Sequence, residues 1–337
     1  MPPASRQGAL LFPALLSLLA VLALDPAARS QPAQSAPAQA HAQKKSDEYR
    51  ILRDVNLVVL HATVLDERGR FVPDMKQENF RVFEGRVEQN LAVFKREDIP
   101  VSVGLVIDNS GSMRDKREKV NAAALTFVKT SNPQDEVFVV NFSDDFYLDL
   151  DKDFTSDINE LKEALERIDA RGSTALYDAV VGSLDHLKKG TRDKKVLLVI
   201  TDGEDNASRI GGGDRKRALE RTVLEAQKSD AAIYAIGLLG TEKKREARKA
   251  REALTRLAQA TGGLAFFPET LQEVEPIGTQ IAHDLRNQYT LAYYPTNARK
   301  DGTFRTVQVE VIPPRGRGKL TVRTRTGYYA QRQAAGS

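Results

Sequence analysis

The sequence predicts an α/β protein: a doubly wound, mainly parallel sheet inserted in, or flanked by, a small antiparallel β-sandwich. Three observations predict it. Over residues 100–286, short apolar runs alternate with amphipathic helical patterns, the arrangement that gives a parallel sheet covered by helices on both faces. Segments with strand patterning and turn residues lie on either side, at 49–99 and 287–330. Each is too small to be stable alone, so the two are expected to pack together as one sandwich with the α/β domain between them.

The chain begins with an address rather than a fold. Arg6 gives a weakly positive start, and residues 9–24 (ALLFPALLSLLAVLAL) are almost wholly apolar, interrupted by Pro13. The run falls short of the roughly 20 residues that span a bilayer, and small residues follow. Residues 1–30 are therefore read as a secretory signal peptide, against the competing reading of an uncleaved anchor. Residues 31–48, rich in Ala, Gln and Pro, are expected to be a flexible linker, and 331–337 a tail. No other segment is long and apolar enough to cross a membrane. The expectation is an exported chain with no transmembrane span after processing, placed in the periplasm, in the cell envelope or outside the cell.

In the N-terminal β segment, residues 55–65 (VNLVVLHATVL) alternate and end in the turn Asp66-Glu67-Arg68-Gly69. Residues 80–83 and 91–94 are two more strands, separated by a turn at Gly85, in a small antiparallel pattern. The α/β strands are expected at 101–107, 136–142, 196–200, 232–237 and 264–267, with an antiparallel edge strand at 146–150 behind an Asp144-Asp145 turn. Helices are expected at 115–130, 157–168, 175–188, 215–228, 243–260 and 271–286. In the fifth of these, Ala247, Ala250, Leu254, Leu257 and Ala258 share one face. Strands return at 289–294, 306–312 and 320–326, broken by Pro295, Asp301-Gly302 and Pro313-Pro314.

Composition removes several functions. The 337 residues suffice for about two domains and include no cysteine, which excludes disulfides, thiolate metal sites, a cysteine nucleophile and a lipoprotein anchor. The four histidines, His41, His61, His186 and His283, show no HExxH spacing. Lys+Arg outnumber Asp+Glu by 50 to 46, a net charge of +4, too slight to demand a nucleic-acid partner. Two basic clusters, Lys243, Lys244, Arg245, Arg248, Lys249 and Arg251, then Arg315, Arg317, Lys319, Arg323 and Arg325, lack interleaved aromatics and read as solvated faces. No nucleic acid is expected as a partner. The sequons at Asn141 and Asn206 point to glycosylation only where exposed, and Asn141 falls in a strand.

Chemistry concentrates in three loops. The first strand ends in Asp108-Asn109-Ser110-Gly111-Ser112-Met113. Arg171-Gly172-Ser173-Thr174 precedes a helix, and the strand at 196–200 runs into Thr201-Asp202-Gly203-Glu204. In a doubly wound sheet ordered 3-2-1-4-5-6, strands one and four are neighbours, and the binding crevice lies at their carboxyl ends. That order puts Asp108 and Asp202 face to face, where two carboxylates repel unless a cation or proton intervenes. Asp108, Ser110, Ser112, Thr174 and Asp202 offer only oxygen donors, the preference of a hard divalent ion. Helix capping explains one of these residues but not the set.

Asp108-x-Ser110-x-Ser112, then Thr174, then Asp202 within TDGE, resembles the metal-ion-dependent adhesion site of von Willebrand factor type A domains. The resemblance extends from about Pro100 to Arg286. The flanking segments (VFEGRVEQNLAVFKREDIPVSVGLVIDNSGSM and LAYYPTN…TRTGYYA) are further similar to an exported bacterial, acidobacterial group of proteins carrying this domain. The resemblance implies a Rossmann-like fold binding Mg²⁺ or Mn²⁺. It implies ligands from positions 108, 110 and 112, with Thr174 and Asp202 acting directly or through water, and a partner's acidic side chain completing the shell.

Enzymatic readings fare worse. An aspartyl nucleophile at Asp108 wants a second Asp two positions on, which is Ser110. Ser110 lies in DNSGS rather than GxSxG, and GxxxxGK[ST] is absent. No catalytic residues are assigned. The expected function is an exported, metal-dependent adhesion-type module that binds a protein ligand through its exposed acidic residue. The alternative is a structural cell-envelope component in which the ion only stabilises the loops.

Overall fold

Eight consecutive buried residues, Val101–Asp108 (β5), form the middle of the central sheet. We analysed a computed structural model, which describes residues 57–331 apart from 97, 168, 169 and 242. The expected signal peptide and linker, and all of the tail but Gln331, lie outside the described residues. Those described belong to one compact unit, Tyr49–Ser337.

Around β5 stand Glu136–Phe142 (β6), Phe146–Leu148 (β7), Lys194–Thr201 (β8), Ala232–Gly237 (β9) and Ala265–Phe266 (β10). Their spatial order is β10-β9-β8-β5-β6-β7. Every pairing is parallel except that of β6 with the edge strand β7. This is the doubly wound order the sequence predicts, with β5 and β8 adjacent at the switch point.

Period-two alternation divides each central strand between two cores. Val101, Val103, Leu105 and Ile107 of β5 face one side with Val196, Leu198 and Ile200 of β8. Against them pack Arg117–Thr130 (α1), Ile158–Glu166 (α2) and Val274–Arg286 (α6). Val106, Leu197 and Val199 face the other side, under Leu176–Leu187 (α3), Arg215–Lys228 (α4) and Lys244–Thr261 (α5). Asp157 and Asp214 cap α2 and α4 by accepting backbone N–H groups, satisfying donors that helix geometry leaves without partners. The residues foreseen as the last helix open instead with a 3₁₀ turn, Leu271–Glu273, and Pro276 sits in the first turn of α6, where a missing N–H costs nothing.

The flanking segments form the sandwich. One sheet has the order β13-β1-β11-β4, from Thr321–Arg323 (β13), Val58–Leu65 (β1), Tyr289–Tyr293 (β11) and Leu91–Arg96 (β4). The other has the order β14-β12-β2-β3, from Gly327–Tyr329 (β14), Phe304–Val311 (β12), Phe80–Glu84 (β2) and Val87–Gln89 (β3). Both sheets mix N-terminal and C-terminal strands. Leu60, Val64, Val82, Tyr289, Leu291, Tyr293 and Val309 fill one core between them.

Two details of the sandwich also differ from the sequence expectation. The strands at 80–83 and 91–94 do not pair, because β2 turns into β3 through Gly85 and Arg86, both at positive φ (53° and 75°), and β4 then crosses to the opposite sheet. Two residues at positive φ favour a tight hairpin with a near partner. The three-residue strands β3 and β14 are additions, too short to show a period.

Candidate functional site

β5 and β8 run parallel in register, Ile107 beside Ile200, so their carboxyl ends deliver Asp108 and the Thr201-Asp202 pair to one edge of the sheet. Both carboxylates are fully buried. Asp108 Oδ1 accepts the Ser110 amide N–H at 2.8 Å, and its Oδ2 accepts the Thr201 hydroxyl at 2.5 Å. Burial pushes the Asp108 carboxyl up to about 6. Those two hydrogen bonds pull the other way, and the nearby Asp202 charge adds to the rise.

From Asp108 a polar chain leads to Asp202. The Ser110 and Ser112 hydroxyls lie 3.2 Å apart, and the Ser112 hydroxyl donates to Asp202 Oδ1 at 2.9 Å. Asp202 Oδ2 is held by the ammonium of Lys116, at the N-cap of α1. Ser110 is buried, whereas Gly111 and Ser112 are exposed, so the acids lie beneath a short loop that faces solvent.

Thr174 reaches the cluster through the third loop. Its N–H donates to Asn206 Oδ1 at 2.8 Å, and its carbonyl accepts the N–H groups of Asn206 and Ala207 at 2.9 and 3.2 Å. Its hydroxyl faces Gly203, where a Cβ would stand 4.0 Å from it. Two further backbone bonds, Arg171 N–H to Asn109 O at 2.8 Å and Gly111 N–H to Gly172 O at 3.2 Å, fasten the first loop to the second. All five residues singled out in the sequence therefore sit on three loops at one sheet edge. Four are linked by direct contacts from their side chains, whereas Thr174 makes no direct bond to them and is tied by its backbone to Asn206 and Ala207, a few residues beyond Asp202. The donor set of two carboxylates and three hydroxyls suits a hard divalent cation. Among the described residues, no group of three or more His, Asp and Glu side chains that could hold a metal is present, so this mixed hydroxyl–carboxylate cluster stands apart from a carboxylate cage.

Two members of the site were missed at the sequence level. Thr201 lies opposite Asp108 one step beyond the Ile107–Ile200 pair, so strand register was the signal that could have found it. Lys116 stands in the charged run RDKREK, where nothing in residue type distinguishes an inward lysine from a solvated one. Lys243, Lys244, Arg245 and Arg248 of the first basic cluster are exposed, as a solvated face requires, while Lys249 meets Glu204, the Arg251 guanidinium lies 4.0 Å from the Phe267 ring centroid, and Arg325 of the second pairs with Asp230.

A family profile described as the von Willebrand factor type A domain matches residues 103–204, a window that holds all five residues. The chain carries a von Willebrand factor type A domain. Among curated proteins it is similar to the uncharacterized protein sll0103 of Synechocystis, 25% identical over 190 residues, covering 55% of this chain and 44% of that one. It is also similar to inter-alpha-trypsin inhibitor heavy chain H4 of Bos taurus, 24% identical over 226 residues, covering 63% of this chain and 23% of that one. The chain thus spans less than half the length of these relatives. A solved von Willebrand factor type A structure from Catenulispora acidiphila is 13% identical at a TM-score of 0.47, covering 73% of this chain and 75% of that one. Among the described residues, no helix is long and apolar enough to cross a membrane.

Proposed function

We propose that this chain is an exported, metal-dependent protein-binding module of adhesion type. Asp108, Ser110, Ser112, Thr174 and Asp202 would hold a divalent cation, Mg²⁺ or Mn²⁺, and a partner's acidic side chain would complete its shell. The single observation that carries this reading is the burial of two carboxylates at the ends of adjacent strands, under an exposed serine loop, with the hydroxyls of Ser110, Ser112 and Thr201 beside them. A bound divalent ion supplies a positive centre to which a carboxylate oxygen can bind.

The chain's own residues do the rest. The β5–β8 pairing fixes the separation of the two acids, Thr201 and the Ser110 amide orient Asp108, and Ser112 orients Asp202. Direct backbone bonds fasten the loops, which favours an ion that recognises over one that merely holds loops together. The chemistry is binding rather than turnover, and export rests on the N-terminal pattern at 9–24.

The test uses immobilised chain and peptides bearing a single Asp or Glu, beside their Asn and Gln counterparts. Capture of the acidic peptides is expected in Mg²⁺, with loss in chelator and in Asp108→Ala while cooperative unfolding persists. Equal capture in chelator, or an Asp108→Ala variant that only melts earlier, contradicts the reading in favour of an ion that stabilises the loops.

A further inference from the structure

Lys116 is the feature of the site that the proposed function does not use. Its side chain is 11% exposed and its ammonium sits on Asp202 Oδ2, while the other oxygen of that carboxylate accepts Ser112. The lysine backbone is pinned at the start of α1: its N–H donates to Met113 O at 2.9 Å, and its carbonyl accepts the Val120 N–H at 3.1 Å. The charge is therefore delivered to the acid from a fixed point on the first loop's own helix. A surface lysine would gain little from such a pair, but here the carboxylate is fully buried, and an isolated buried charge is costly.

We infer, resting on the proposed metal function, that Lys116 is a tethered competitor of the divalent ion. Asp202 serves either the ammonium or the ion at Oδ2, and an ion that binds Asp202 there displaces the ammonium. The consequence is visible in the charges. Asp108, Asp202 and Lys116 sum to −1, and a divalent ion raises the sum to +1. One carboxylate from a partner returns it to zero. A site made of the two acids alone would already be neutral with its ion. Lys116 thus weakens the ion on its own and gives the loaded site a surplus that an acidic partner neutralises, so ion and partner are coupled through this residue.

The test is calorimetric titration of the full chelator-stripped chain with Mg²⁺ alone, for the wild type, Lys116→Met and Lys116→Arg. Lys116→Met is expected to bind Mg²⁺ about tenfold or more tighter than wild type, since a unit charge a few ångströms from the ion is gone. Lys116→Arg, which keeps the charge, is expected to bind no tighter. A second readout uses the wild type itself: labelling by an amine-reactive reagent, read by mass spectrometry, should increase at Lys116 when Mg²⁺ is added. Wild type that binds the ion, with no gain in the folded methionine variant or no rise in labelling, overturns the role of Lys116 alone. Absence of binding in the wild type and both variants overturns the metal function beneath it. Binding by Lys116→Met where wild type shows none supports the competitor role directly.

Discussion

Individual residues in this protein pay for burial in different ways. Asp108 keeps two hydrogen bonds and Asp202 keeps an ammonium and a hydroxyl, so neither acid is stranded. Lys194, at the start of β8, is fully buried, and its ammonium donates to the Leu285 carbonyl at 2.6 Å. Burial pushes it down to about 7, against the pull of Asp135 and then Asp98. Its folded value lies below the ordinary 10.5, so between the two the unfolded chain binds more protons than the folded one. The contribution of Lys194 to stability therefore rises with pH across that window, and below it the cost of burying the charge is borne in full. The melting temperature of Lys194→Met minus that of wild type should be highest near about pH 6 and shrink toward about pH 9; a difference independent of pH would contradict this. Asp108, Ser110, Ser112, Thr174 and Asp202 were legible because hydroxyls and acids at the mouth of apolar strands have no structural reason to recur in three loops. Lys116 was not, since an inward turn of one lysine among several depends on where α1 starts relative to Asp202.

At the scale of elements, legibility followed burial. β5 and β8 stood out because strands covered on both faces read as unbroken apolar runs, and the faces of α5 were plain from Ala250, Leu254, Leu257 and Ala258, all buried. The end of that helix shows what local sequence also encodes. Gly262 adopts φ 83° and returns its N–H to Ala258 and Gln259, a left-handed cap. Gly263 then passes so close to β9 that a Cβ would stand 2.0 Å from the Ile233 carbonyl oxygen. Backbone cannot retreat as a side-chain tip can. Gly263→Ala should lower the unfolding free energy by about 1–3 kcal/mol in urea titration, and an unchanged midpoint would contradict this packing. Elements of three residues, such as β3 and β14, carried no such signal. The partnership of β2 was hidden too, since its neighbour β12 lies more than two hundred residues away and is selected by the shared core rather than by the adjacent turn.

Over the whole of the described residues, the β segments on either side of the α/β domain are joined through the sandwich core. Glu84 on β2 accepts the Tyr293 hydroxyl from the opposite sheet at 2.9 Å and the Tyr328 hydroxyl from β14 at 2.8 Å, and it pairs with Arg305 of β12 at 3.3 Å. This buried network ties β2 to strands that follow the α/β domain, and the Arg325 guanidinium also donates to the Val59 carbonyl of β1 at 2.9 Å. Composition anticipated two β segments too small to stand alone, but only three-dimensional pairing shows that each sheet draws strands from both. At the carboxyl ends of β5 and β8, the serine loop is exposed above the paired acids. The central claim is that those acids hold one divalent ion. Calorimetric titration of the chelator-stripped chain with Mg²⁺ and Mn²⁺, beside Asp108→Ala, Asp202→Ala and Lys116→Met, tests it most directly. One ion bound per wild-type chain, with binding lost in both folded alanine variants, is the predicted result; no binding by either the folded wild type or Lys116→Met, or Asp108→Ala and Asp202→Ala variants that bind as well as wild type, would contradict it.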